Sequence, residues 1–168
     1  MATIIKGTIV NNAKTLSKRF KYLQNASVSV GWHEDSKYDD GTQIAEIAAI
    51  QEYGTGDGKI PPRSFMRSTA NEKLKTVWLV NLKKVIAHYV SKGGDLSQLY
   101  GKFGASISGD IAEKITQIWT PPLAESTVKN RVSRKSKKAT TESLTKPLID
   151  TGVMLASLSF KVLFGGKK

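Results

Sequence analysis

Two long stretches of this sequence carry apolar side chains at three- and four-residue spacing, and they stand almost back to back. From Phe65 to about Val90 the series is Ala70, Leu74, Val77, Trp78, Leu82, Val85 and Tyr89; the second is Leu96, Leu99, Phe103, Ile107, Ile111, Ile115 and Ile118. Such spacing places one apolar stripe along one side of an α-helix. A stripe has to be buried, so a chain with two in tandem must build its core between these helices and whatever it folds over them. Gly93-Gly94 ends the first helix, and Asp95 with Gln98 three residues later has the form of a capping box opening the second. Gly101, Gly104 and Gly109 weaken the middle of that second helix, which predicts a break or bend between Gly104 and Gly109.

The covering layer reads as a small sheet. In Ser27–Trp32 the residues Val28, Val30 and Trp32 fall on one face, and Leu158–Phe164 alternates in the same way, so the two are expected to pair. Residues 14–24 put Leu16, Phe20 and Leu23 at helical spacing among Lys and Arg, as a short basic amphipathic helix. Thr42 is placed to cap a helix that buries Ile44, Ile47 and Ala48 and stops at Gly54. Three glycines then give a mobile tip, and Pro61-Pro62 a stiff extended piece. Thr120-Pro121-Pro122 stops the second long helix, Ala124–Val132 forms one or two further turns, and Lys146–Ser157 a turn and short helix capped by Asp150 or Thr151. At 168 residues the expectation is one domain of α+β class over 1–168, a small antiparallel sheet packed with two long helices. Its extended loops, at about 54–63 and 129–145, are expected to be flexible and to serve assembly.

The composition closes off much chemistry. There is no cysteine, and His33 and His88 are the only histidines. Disulfides, thiol nucleophiles and zinc ribbons are therefore excluded. Gly54–Lys59 follows a predicted helix, lacks phosphate-loop spacing and has Ile60 where Ser or Thr would hold magnesium. His33-Glu34 lacks the second histidine of a zincin helix, and Asp35, Asp39 and Asp40 lack the glycine and terminal Glu of a calcium loop. The expectation is a protein with no catalytic residues, no cofactor and no metal. No apolar run suits a signal peptide or a membrane span, which predicts a cytoplasmic protein with no membrane partner.

Charge points to acidic partners. Lys and Arg number 26 against 14 Asp and Glu, net +12. No acid precedes Glu34, and seven fall between Glu34 and Asp57. The densest basic stretch holds Lys129, Arg131, Arg134, Lys135, Lys137 and Lys138. Copies with one acidic and one basic side attract head to tail, and such contacts close into rings; ordinary clustering on a solvated surface reads equally well. With no aromatic residue between Trp119 and Phe160, that stretch offers DNA only non-specific phosphate contacts, or else it orders against a protein.

Several phrases, in order, carry a resemblance. Val30-Gly31-Trp32 is followed by Gln51-Glu52-Tyr53-Gly54-Thr55 and by Ile60-Pro61-Pro62-Arg63-Ser64-Phe65-Met66-Arg67. Later come Trp119-Thr120-Pro121-Pro122-Leu123, Ser126-Thr127 and Lys146-Pro147-Leu148-Ile149-Asp150-Thr151-Gly152, then Met154 and Ser157. From roughly Val28 to Val162 the chain resembles the neck and tail-completion (head–tail joining) proteins of tailed bacteriophages, the group of putative tail components, minor tail protein Z and virion-morphogenesis proteins. The resemblance implies a non-enzymatic structural protein of the virion neck or tail, assembled in the host cytoplasm. It implies a closed homo-oligomeric ring around the DNA channel, on the order of six or twelve copies. It also implies contacts to the tail tube or terminator and to connector or portal-side proteins. The candidate interface comprises Pro61, Pro62, Arg63, Phe65 and Arg67; the six basic residues from Lys129 to Lys138; and Pro147, Asp150, Thr151 and Gly152. Arg63 either reaches a carboxylate on a neighbouring copy or is a solvated residue of a helix-starting proline turn. A non-specific DNA-binding protein is the alternative.

Overall fold

The computed structural model of the chain describes residues 2–134 and 144–165, with the helical backbone alone for residues 2–11. Lys135, Lys137 and Lys138 lie outside the described residues, as does most of the expected loop at 129–145. The order is α1 (Ala2–Gln24), β1 (Ala26–Gly31), α2 (Ile44–Tyr53), α3 (Met66–Lys73), a π-helical turn (Leu74–Trp78), α4 (Leu79–Lys92), α5 (Leu96–Gln117), α6 (Glu125–Arg134), α7 (Val153–Ala156) and β2 (Ser159–Phe164). The class is α+β, as the two periodicities predict.

β1 and β2 pair antiparallel, with Val28 opposite Val162 and Val30 opposite Phe160. α5 lies across both strands, while α4 packs on α5 and on α1. The predicted break in α5 does not occur: the helix runs unbroken from Leu96 to Gln117. The reason is packing. Gly104 is buried, and a Cβ there would come within 2.8 Å of the Phe160 ring and 2.9 Å of Val28 Cγ1. The glycine lets the sheet settle onto the helix, and that burial offsets the low helix propensity. Asp95 caps α5 as the sequence predicts, its side chain accepting from the backbone N–H groups of Ser97 and Gln98.

Two apolar clusters form along α5. Near its start, Tyr89, Leu96 and Tyr100 gather Leu23, Val28, Leu82, Val85 and Val162. Near its end, Ile111 and Ile115 meet Ile44, Ala48, Phe65, Leu148 and Met154, joined by Val30 and Trp32. Trp32 stands edge-on to Phe65 with ring centroids 5.7 Å apart, and its Nε1 donates to the Met154 carbonyl at 2.8 Å.

Other expectations are corrected by geometry. α1 starts at Ala2 rather than near residue 14, and is fastened to α4 by Arg19, whose guanidinium donates to the Val90 carbonyl at 2.6 Å and lies over Gly93. That cation sits at the carbonyl end of α4, where the helix dipole favours it. α2 begins after Gln43 with no side-chain cap: the capping position falls one residue past Thr42, whose N–H donates to Asp40 Oδ1 at 2.9 Å. At α7 the capping position falls on Gly152 at φ 80°, and the expected cap comes from Thr151, whose Oγ1 accepts the Val153 N–H at 3.4 Å, not from Asp150. The glycine-rich loop after α2 is laced together: Thr55 donates to Asp57, and Ile60 and Thr55 exchange backbone and hydroxyl bonds.

The π-helical turn has a specific result. Leu79 N–H bonds to the Leu74 carbonyl five residues back. In a regular α-helix Lys73 and Trp78 would point about 140° apart. The wider turn aligns residues five apart, and both reach Asp110 on α5: Lys73 Nζ at 2.7 Å and Trp78 Nε1 at 2.7 Å.

Candidate functional site

Five of the quoted phrases, from Gln51 to Gly152, meet at one cleft of about 820 Å³, which Val30-Gly31-Trp32 does not line. Its walls come from the loop after β1 (Tyr38, Asp40), from α2 (Gln51), from Lys59–Pro61 and Arg63, from Pro122–Ala124, from α6 (Thr127, Arg131, Arg134), and from Leu148 and Asp150–Gly152.

Two buried arginines build its floor. Pro121 and Pro122 have no N–H to enter a ladder, so the chain there pairs with nothing regular and its carbonyls need outside donors. Arg63 supplies them: Nε donates to the Pro121 carbonyl at 2.7 Å, Nη2 to that of Pro122 at 2.8 Å, and Nη1 to Gln51 Oε1 at 3.1 Å. Arg131 serves the other wall, its Nη1 donating to the carbonyls of Lys146 and Ile149 at 2.8 and 3.0 Å. Between those carbonyls Leu148 adopts φ 64°, a conformation that favours glycine, while its side chain is buried. Such a residue persists only where its surroundings hold it. Burial lowers the pKa of both guanidinium groups, that of Arg63 further through the charge of Arg131, whereas Asp150 pulls Arg131 the other way.

Beside the cleft, Glu52 ties α2 to α3. Its Oε2 accepts from the N–H groups of Phe65 and Met66 at 2.7 and 2.9 Å; its Oε1 accepts from the Ser64 hydroxyl at 2.8 Å and from Arg67 N–H and Nε at 3.1 and 2.9 Å. A carboxylate at the first turn of α3 satisfies orphan donors and complements the helix dipole. Burial pushes this carboxyl up, but the hydrogen bonds from Met66, Arg67 and Ser64 outweigh it and hold its pKa below the ordinary glutamate value.

The candidate interface residues therefore divide. Pro61, Asp150, Thr151 and Gly152 line the cleft, and Arg134 stands at its rim with Nη2 2.9 Å from Asp150 Oδ2. Arg63 and Arg131 line it too, but they are 4% and 5% exposed and bound to internal carbonyls, so neither reaches outward to a neighbour's carboxylate. Phe65 and Pro147 are fully buried. Arg67 stacks over Tyr53, its guanidinium carbon 4.4 Å from the ring centre, away from the cleft; Pro62 and Lys129 are exposed but are not among the cleft's lining residues. Tyr38, Asp40, Gln51 and Thr127 belong to the cleft and were not among the candidates. Tyr38 has its phenol pKa raised by burial and by the charges of Asp150 and Asp40. Of these four, Gln51 and Thr127 carried a signal, each as part of a quoted phrase.

The acidic segment is also partly consumed. Glu52 is internal, Asp35 pairs with Lys161 at 3.0 Å and Asp57 with Lys59 at 2.9 Å. His33 Nδ1 lies 3.1 Å from Ser159 Oγ, but its buried Nε2 has no hydrogen-bond partner among the described residues, so the third group of a serine–histidine–acid arrangement is missing from this pair. Among the described residues no three His, Cys, Asp or Glu side chains gather in a way that holds a metal ion, and no helix is long and apolar enough to cross a membrane. Compared with known proteins, the chain matches no family model, no curated protein and no solved structure.

Proposed function

We propose that this chain is a structural virion protein of a tailed phage, completing the tail or joining head to tail as one copy in a ring around the DNA channel. The reading rests on the ordered phrases of the sequence, and one observation carries it further. The two loops expected to serve assembly, 54–63 and 129–145, both contribute to the same cleft, the first through Lys59, Ile60, Pro61 and Arg63 and the second through Arg131 and Arg134, although more than 60 residues separate them. A segment of the tail tube, terminator or connector that enters this cleft meets Pro61, Arg134, Asp150 and Thr151 on a floor held rigid by Arg63 and Arg131. The neck or tail of the virion is the location this implies.

Light scattering behind a sizing column tests it, on the purified protein alone and then mixed with tail tubes or connector rings of the phage that encodes it. A discrete multiple of 18.4 kDa, alone or in the mixture, is the expected result. A monomer indifferent to both, yet retarding duplex DNA with a steep loss as salt rises, overturns the reading in favour of non-specific DNA binding.

A further inference from the structure

Charge is distributed along the fold in a way the totals conceal. All the ion pairs among the described residues involve the loops, β2, α2, α3, α5 and α6; none involves α1 or α4. Those two helices pack on each other and contain no Asp or Glu. Lys14, Lys18 and Lys21 on α1 and Lys83, Lys84 and Lys92 on α4 are exposed and make no ion pair among the described residues. On α4, Leu79 and Val80 are 39 and 42% exposed and lie one turn before Lys83 and Lys84 on the same side of the helix, whereas Leu16 and Phe20 lie about 100–160° round α1 from its lysines. Lone exposed apolar residues need no explanation, but a pair beside two unpaired lysines on an acid-free helix does.

Unpaired carboxylates gather instead in the segment after β1. β1 starts at Ala26, beside the Tyr89 cluster that α1 and α4 share, and ends at Gly31, beside the Ile44 cluster. The segment that follows exposes Glu34, Asp39 and Glu46, which make no ion pair among the described residues. The α1–α4 layer thus offers unpaired lysines and no carboxylate of its own, while this segment offers unpaired carboxylates with Lys37 exposed among them; Asp95, just past α4, is exposed as well.

We infer that the α1–α4 face is the surface on which a second copy of this chain seats its acidic segment, Glu34 to Glu46. The inference rests on the ring reading and gives that ring its subunit contact. Complementary charge sets the register, and Leu79 and Val80 supply the apolar burial. DNA phosphates would match the lysines but leave those apolar side chains in water. The contact is heterologous, so each copy in a chain of copies still offers one basic and one acidic surface until a ring closes. The basic side of the contact is thus the helical layer, not the stretch from Lys129 to Lys138.

Charge exchange tests this. Lys83→Glu with Lys84→Glu reverses one face; Glu34→Lys with Asp39→Lys reverses the other. Each double variant is expected to elute as a monomer at a concentration where the wild type assembles, with unchanged circular dichroism. Their equimolar mixture is expected to regain the wild-type size, since reversed faces match alternately around an even ring. Should the glutamate pair fail to fold, Lys83→Gln with Lys84→Gln replaces it, with association weakened at least tenfold. Assembly of either double variant alone as well as wild type, or failure of the mixture to reassemble, overturns the inference and leaves the ring reading standing. A wild type that stays monomeric with and without tail tubes or connector overturns the ring reading and the inference together. A wild-type monomer that floats with phosphatidylserine vesicles, or shifts with duplex DNA, assigns the face to that partner instead.

Discussion

Glu52, Arg63 and Arg131 show how far a charged side chain's role lies outside its local sequence. Each sits in a stretch that reads as polar surface, yet all three are buried and bonded to backbone groups of other segments, Arg131 through Nη1 while its buried Nε makes no hydrogen bond among the described residues. Nothing near Arg63 announces that it serves Pro121 and Pro122, about 60 residues on. The one readable hint was the proline pair, whose carbonyls had to find donors somewhere. Glu52 makes this measurable. Glu52→Ala strands the donors of the first turn of α3 and is expected to cost about 3 kcal/mol or more in urea unfolding at pH 7. Because its pKa is depressed in the folded chain, its stabilisation is fully present above the unfolded-state value and drains as pH falls through the folded one. The gap between wild type and Glu52→Gln should therefore narrow below about pH 4.3. An unchanged gap at pH 3 contradicts the role given to the carboxylate.

Secondary-structure elements were legible where their own periodicity decided them. Alternation in Val28–Trp32 and Leu158–Phe164 announced the strand pair, and Gly93-Gly94 followed by Asp95 marked the turn between the long helices. Legibility ended where a partner decided. The three glycines of α5 look alike in sequence, but Gly104 lies under Phe160 and Val28 whereas a Cβ at Gly109 would meet nothing within 4 Å. Gly109→Ala is expected to stabilise by about 0.5–1 kcal/mol through helix propensity and lost unfolded-state freedom. Gly104→Ala gains the same term but wedges the sheet away, with a net loss of about 1–2 kcal/mol. Thermal melts of the two variants should move in opposite directions; a common direction removes the packing explanation for the continuous helix. The π-helical turn had no sequence signal, because what it serves, Asp110 meeting both Lys73 and Trp78, is a contact with another helix.

Taken whole, the molecule sets the cleft and the Phe65 core toward one end of α5 and the Tyr89 cluster toward the other. Association through opposite charges is screened by salt, the Debye length falling from about 10 Å at 0.1 M to about 3 Å at 1 M. Assemblies of the wild type should therefore shrink toward monomer between those concentrations in sedimentation velocity. Complete insensitivity to salt would mean that the exposed apolar residues, not the lysines, set the contact. The segregation itself was half visible beforehand, as an acid-free opening followed by an acidic segment, but which charges stay unpaired emerged only once Asp35, Glu52 and Asp57 were seen to be taken. The strand pairing also carries a cost in time. Ala26 bonds opposite Phe164, so the partner of β1 is made only after every helix has been synthesised. At roughly 5–20 residues per second on the ribosome, β1 waits on the order of ten seconds with an open edge. Throughout that interval the elements already made, α1 and later α5, are what stand between that edge and a strand of another nascent chain.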